Sequence, residues 1–312
     1  MPMPLIYSDE NAARKHFEKL LWPTGPVCPK CGNCDQDRIT KLDGKSTRPG
    51  VFKCKECRKP FSVTVGTIFE RSHIPLHQWA YAAHLLTTGK KGTSSHQLHR
   101  MFGITYKTAW FMAHRIREAM RDLGHLPMGG EGKIVEADET YFGKPETTHV
   151  SPQRKGRPYL KGNKVRNSRA IVSLVERGGK VRSFHPAVAD GAAVAIIVNE
   201  NVLRETRLQT DESRLYTKVG ANFAAHETVN HGAKEYARDD VTTNSVEGYF
   251  SIFKRGMKGV YQHCAEKHLH RYLAEFDFRY NNRIALGVND DLRAARAIQG
   301  ASGKRLTYRI PH

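Results

Sequence analysis

A multidomain α+β protein is the fold class this sequence predicts, and three observations predict it. Four of its six cysteines form two Cys-x-x-Cys pairs within the first 60 residues. Three short amphipathic segments follow. From about residue 132 the texture changes to apolar runs of strand length alternating with helical patterns.

The first region, 1–72, opens with SDENAARKHFEKLLW, an amphipathic helix capped by Ser8 or Asp9 with Phe17, Leu20 and Leu21 on one face. Cys28/Cys31 and Cys54/Cys57 then read as two knuckles joined by short strands, with a hairpin excursion through Gly44 and STRPG. Four thiolates suit tetrahedral Zn²⁺, which stabilises a module too small for its own core. The predicted element is a zinc ribbon with a closed, structural metal. Cys34 and Cys264 are left as free thiols.

Region 73–127 carries three predicted helices. The first starts near Pro75 and keeps Leu76, Trp79, Ala80, Ala83 and Leu86 on one face. The second, SSHQLHRMFG, buries Leu98, Met101 and Phe102 and stops at Gly103. The third repeats Ala109, Met112, Ile116 and Ala119 on one side and Lys107, His114, Arg115 and Arg117 on the other. A short helix, a glycine turn and a basic second helix form a helix-turn-helix pattern. Lys107, Arg115 and Arg117 are therefore the expected DNA contacts of this region.

Region 128–312 reads as strand, hairpin turning at Gly178-Gly179, helix, strand, short strand and two helices. This β-β-β-α-β-α order resembles the ribonuclease-H-like fold, a mixed sheet flanked by helices. Between the first two strands lies an insert, 144–169, with eight Lys/Arg and one acid, Glu146. Its composition predicts a loop that orders on nucleic acid, with Arg154 and Lys155 among its DNA contacts.

Acids close two of these strands, as Asp138-Glu139 and Asp211-Glu212, and Glu247 lies on a helix. Neighbours in a strand face opposite sides, so one member of each pair is expected in a common site. Such a set suits two divalent cations held over a phosphodiester, with Mg²⁺ or Mn²⁺ on oxygen ligands. On the helix, Asn244, Glu247, Ser251 and Lys254 share a polar stripe, while Val246, Tyr249, Phe250 and Phe253 form the apolar one. Lys254 is expected on a substrate phosphate. Gly248 inside the helix predicts a close backbone approach.

Fifty Lys+Arg against 31 Asp+Glu leave a formal charge of +19, which predicts a polyanionic partner, DNA, rather than a membrane. No apolar run approaches the roughly 20 residues of a membrane span, and MPMPLIYSDE lacks a signal-peptide core. A cytoplasmic, nucleoid-associated protein is expected.

The stretches CPKCG, CKECRKPFSVTVGTIFERSHIPLHQW, ITYKTAWFMAHRIR, VEADETYFG, TNSVEGYFSIFKRGMKGVY and HLHRYLAEFDFRYNNR resemble the transposases of small bacterial insertion sequences. The family in question joins an N-terminal zinc ribbon to an ISXO-type integrase domain. The resemblance implies a DDE site carried by Asp138, Asp211 and Glu247, which also bind Mg²⁺, with the Glu247-x6-Lys254 spacing of related enzymes. Because some members use Asn as the third residue, Asn244 stands as its rival or auxiliary. It further implies binding of terminal inverted repeats, strand cleavage and transfer into target DNA, and a homodimer or larger assembly on DNA. The competing readings are a domesticated DNA-binding regulator, in which the acids are dispensable, and a structure-specific nuclease without end recognition.

Overall fold

The computed structural model describes residues 3–122, 126–144, 168–233, 235 and 237–307. The chain forms two compact units, Met1–Arg121 with Asn282–His312, and Asp122–Asn281.

The first unit begins with α1 (Glu10–Leu21), whose N-cap is Asp9, its side chain accepting from Ala12 N. Strands β1 (Ile39–Lys41), β2 (Phe52–Cys54) and β3 (Pro60–Phe61) pair antiparallel in that order. Their core is small: Ile39, Phe52 and Phe61 pack with Trp22, whose ring meets Phe52 and Phe61 edge-on. Helices α2 (Leu76–Thr88), α3 (Ser95–Phe102) and α4 (Tyr106–Met120) follow. The apolar face expected on α2 is buried in full, and the αL residue Gly103 ends α3 where the turn to α4 requires a positive φ. Met101 departs from expectation and is exposed.

The second unit is built on a five-stranded sheet. Its strands are β4 (Ile134–Phe142), β5 (Arg169–Glu176), β6 (Val181–Phe184), β7 (Arg207–Asp211) and β8 (Ala225–Val229), in the order β6-β5-β4-β7-β8. β6, β5 and β4 are antiparallel, while β7 and β8 run parallel to β4. Helix α5 (Gly191–Asn201) joins β6 to β7, and α6 (Arg214–Gly220) joins β7 to β8. A two-stranded ribbon, β9 (Ala237–Arg238) and β10 (Val241–Thr242), leads into α7 (Asn244–Gly256) and then α8 (Leu269–Asn281).

Alternation along the strands sorts the core into two layers. Val135, Ala137, Val172, Leu174 and Leu208 pack against α5 and α6. Ile171, Val175 and Val181 face Val246, Tyr249, Phe250 and Phe253 of α7 and Leu269, Leu273 and Phe276 of α8. A mixed sheet in this order with helices on both faces is the ribonuclease-H-like arrangement that the sequence pattern predicted.

The chain then returns to the first unit through α9 (Asp290–Gln299), whereas the sequence reading ran the sheet-bearing domain to residue 312. α9 buries Ala294, Ala297 and Ile298, and Arg293 donates to Thr87 O at 3.2 Å. Gly300 ends it so close to α4 that a Cβ would lie 2.3 Å from Ala119 O. Any side chain there would force the two apart.

Candidate functional site

β4 and β7 carry two of the predicted acids, and their pairing explains where those acids meet. The two parallel strands are in register from Ile134↔Arg207 to Glu136↔Gln209 and no further. Beyond that pair their carboxyl ends separate, at the point where the sheet order reverses between β4 and β7. Such a switch point opens a crevice at the strand ends. Asp138 and Asp211, each two residues past the last pair, share one face and line it.

A third carboxylate joins them. Ligand oxygens of Asp138, Glu139 and Asp211 all lie within 4.8 Å of one another. Strand alternation was expected to turn Glu139 away, and it is still paired to Val172 of β5; but β4 has lost its β7 neighbour there, which leaves room for the longer side chain to bring its carboxylate to the two aspartates. Ser213 Oγ, before α6, donates to Glu139 Oε1 at 3.3 Å. Glu139 Oε2 is buried, and the Tyr216 hydroxyl is close enough to lower the Glu139 carboxyl in part. Glu212, in contrast, stays outside, accepting from His231 N and Gly232 N.

Burial pushes the Asp138 carboxyl up to about 8, and the charges of Asp211, Glu139 and Glu247 push it the same way. Glu139 and Asp211 are raised as well, burial being the main cause in both. Acids packed this closely cannot all ionise unless positive charge is brought in. An all-carboxylate donor set this close together fits a hard divalent cation such as Mg²⁺ or Mn²⁺.

Glu247 lies in the first turn of α7, outside that trio but near enough for its charge to act on Asp138. Its carboxylate is half-exposed; Thr243 Oγ1 donates to Oε1 at 3.0 Å, and His231 Nε2 lies 3.5 Å from the same oxygen. Asn244, one turn earlier, is exposed, as are Gly248 and Ser251, and Lys254 is partly so. The polar stripe is therefore an open surface beside the acids. Among the described residues no atom lies within 4 Å of a Cβ built at Gly248, so the expected close approach is not seen among them.

The four ribbon cysteines converge as expected. Sγ atoms of Cys28 and Cys57 are 3.6 Å apart, and those of Cys31 and Cys54 are 3.7 Å apart. Zn–S bonds of about 2.3 Å in a tetrahedron put sulfurs about 3.8 Å apart. The backbone N–H of Cys57 holds the Cys54 thiol down while Cys31, hydrogen-bonded to it, is pushed up, as expected of thiols crowded together without a cation between them. These residues fit Zn²⁺ by number, type and spacing.

Of the basic side chains expected to meet DNA, Lys107 is exposed at the start of α4, beside Tyr106. Arg115 and Arg117 are corrected: they are buried, at 8% and 1% exposure. Arg115 donates to Glu70 O at 3.0 Å and Leu306 O at 3.3 Å. The helical pattern marked a polar face on α4 correctly, but residues distant in sequence cover it. Arg154 and Lys155 lie outside the described residues. Accordingly, Arg115→Ala is expected to cost about 2–3 kcal/mol of stability, because two carbonyls lose a charged donor. Lys107→Ala should leave the melting temperature in place and reduce the salt slope of DNA binding by about 1. Thermal denaturation and salt-dependent binding of both variants check the contrast.

Comparison with known proteins adds to this geometry. Residues 8–60 match the model of a transposase zinc-ribbon domain, and residues 129–281 match that of an ISXO2-like transposase domain. The second span coincides closely with the sheet-bearing unit. A protein described as an uncharacterized protein in transposable element ISH50, from Halobacterium salinarum, is 26% identical over 286 residues, covering 89% of this chain and 93% of that one. It comes from an archaeal element, whereas the sequence resemblance pointed to bacterial ones. Among solved structures, a pre-cleavage Mos1 transpososome aligns over 70% of this chain and 74% of its own, at 13% identity and a TM-score of 0.28. A simian T-cell lymphotropic virus intasome aligns over 58% of this chain and 63% of its own, at 14% identity and a TM-score of 0.27. The fold assignment rests on strand order and not on these overlaps. None of the described helices is long and apolar enough to cross a membrane.

Proposed function

Because the chain belongs to the ISXO2-like transposases with an N-terminal zinc ribbon, we propose that it binds the terminal inverted repeats of its element and carries out divalent-metal-dependent strand cleavage and transfer into target DNA. One observation carries the reading: the carboxylates of Asp138 and Asp211 meet where β4 and β7 part, and the charge of Glu247 on α7 is near enough to act on Asp138.

In this reading Asp138, Asp211 and Glu247 hold the cations, and Glu139 contributes a further oxygen. Divalent cations held by these carboxylates would supply activation of the attacking oxygen and stabilisation of the leaving one. The chain does the positioning. Thr243 holds the Glu247 carboxylate by its hydroxyl hydrogen bond. Lys254, two turns along the exposed stripe, binds a phosphate of the strand being cut, where its charge is complementary. Asn244, in the first turn of the same helix, would be the rival or auxiliary ligand beside Glu247.

Element ends are recognised by the first unit. On α4 the buried C-terminal half leaves only the first turn, Tyr106 and Lys107, for a groove, and recognition helices read bases from that end. Arg100 and Gln97 of α3 are exposed too and supply phosphate or base contacts. Joining two ends calls for at least a homodimer assembled on DNA.

Footprinting on a duplex carrying the element's terminal repeat, against a random duplex of equal length, tests this. Protection confined to the repeat, with nicks at its end in Mg²⁺, is the expected result. Equal protection of both duplexes would replace the reading with that of a nuclease lacking end recognition.

A further inference from the structure

The helix that carries Glu247 has an unusual N-terminus. Its N-cap residue is Thr243, yet the threonine side chain makes no capping hydrogen bond. Its hydroxyl is turned to Glu247 Oε1 instead. The first N–H groups of a helix are left without intrahelical partners and need an acceptor. Here the acceptor comes from the sheet: Glu136 Oε2 receives Ser245 N at 2.8 Å and Val246 N at 3.1 Å, and Oε1 receives Ser245 Oγ at 2.9 Å. Glu136 is wholly buried and stands two residues before Asp138 on the same face of β4.

Its remaining partners reach the other acid-bearing strand. Arg177 donates to Glu136 Oε1 through Nε at 3.1 Å and Nη2 at 2.8 Å. The same Nη2 donates to Gln209 Oε1 at 2.7 Å, and Gln209 stands two residues before Asp211. Gln209 Oε1 also receives Thr242 N at 3.1 Å, and Arg177 donates to Thr242 O and Asp240 O in the segment leading into α7. One buried clamp thus ties β4, β7 and the start of α7 together directly beneath Asp138, Asp211 and Glu247.

We propose that Glu136 is a positioning residue: by capping α7 from β4 it sets the distance of the Glu247 carboxylate from the two aspartates. This rests on the metal-site reading given above. A helix N-terminus carries partial positive charge, so an anionic cap holds it more firmly than a neutral one. The carboxylate also neutralises Arg177, so the clamp is a charged network satisfied on every side. Ordinary capping from Thr243 would hold the helix but would leave Glu247 free to rotate away. Borrowing the cap from β4 frees the threonine hydroxyl for Glu247.

The test is Mn²⁺ binding to the full chain, measured for wild type, Glu136→Gln, Glu247→Gln and the double variant, with circular dichroism as a check on folding. Glu136→Gln keeps the volume but offers one acceptor oxygen where five hydrogen bonds now converge. It is expected to weaken Mn²⁺ binding by about 10-fold or more, as loss of a group orienting a ligand does. In the Glu247→Gln background the same change should have no further effect, because its target is gone. Unchanged affinity in a folded Glu136→Gln chain, or equal losses in both backgrounds, would overturn the proposal. A Glu247→Gln chain that binds Mn²⁺ like wild type would instead overturn the metal-site reading beneath it. Should Glu136→Gln fail to fold, Ser245→Pro removes one N–H and the hydroxyl donated to Glu136, at a position in the first turn where proline is tolerated. A smaller loss of Mn²⁺ affinity, about threefold, is then expected, and none would again refute the role.

Discussion

Glu247→Gln is expected to lower cleavage of a terminal-repeat duplex by at least about 100-fold while leaving DNA binding unchanged. Glutamine keeps the volume and can still accept from Thr243 Oγ1, so α7 should stay in place. What disappears is one negative charge near enough to act on Asp138. Removing one preorganised electrostatic group from a site of this kind typically costs 10²–10³ in rate, roughly 2.7–4 kcal/mol of barrier. Single-turnover cleavage at saturating protein, beside a mobility-shift measurement, separates the two effects. Wild-type chain should also melt at a higher temperature in Mg²⁺, since a ligand at 100 times its Kd adds about 2.7 kcal/mol. Asp138→Asn should abolish that shift and, without cation, melt no lower than wild type, because an acid raised to about 8 is a cost to the metal-free fold. Undiminished cleavage by Glu247→Gln would remove it from the site and leave the two aspartates with Glu139 as the ligand set.

Zinc removal should have the larger effect on stability. The ribbon is held by three very short strands and a core of Ile39, Phe52, Phe61 and Trp22 around Cys28 and Cys54. That is too little apolar surface to fold alone, whereas structural Zn²⁺ in small modules supplies about 10–16 kcal/mol at pH 7. Chelation, or Cys54→Ser, should release one Zn²⁺ per chain, unfold residues 28–61 and abolish binding to element ends. The sheet-bearing unit has two extensive cores of its own, so its Mg²⁺-dependent melting should survive. Cys34→Ser and Cys264→Ser serve as controls, because neither sulfur belongs to the cluster, and both should leave the zinc content at one. A ribbon that stays folded and metal-free would refute the structural role. Metal analysis and a two-step melting curve read both outcomes.

How much was legible beforehand depends on whether a property is local. The Cys-x-x-Cys pairs, the α2 face and the apolar stripe of α7 are spacings within one element, and each is buried or clustered as its spacing required. Asp211 ends β7 as its apolar run suggested, whereas Asp138, expected to end its strand, stands in the middle of β4, which runs on to Phe142. Glu139 was not expected in the site because alternation fixes the face a side chain starts from and not how far it reaches where β4, still paired to β5, has lost its β7 neighbour. Arg115 and Arg117 were misread because a helical wheel shows which face is polar but not what covers it. Glu136 carried no signal at all. A buried acid among apolar strand residues looks like an exposed one until its partners, 41 and 109 residues away in Arg177 and Ser245, are seen.

By itself, then, the sequence indicated most of the elements, though not α6, α9 or the β9–β10 ribbon, the four clustered cysteines and which strands and helix bear the acids, because those follow from short-range periodicity and side-chain chemistry. Only the tertiary structure decided that Glu139 enters the site, that two arginines leave the surface and that Glu136 caps the helix of Glu247. These depend on where strands splay and which distant groups desolvate one another, and such pairings are made across the sheet and not along the chain.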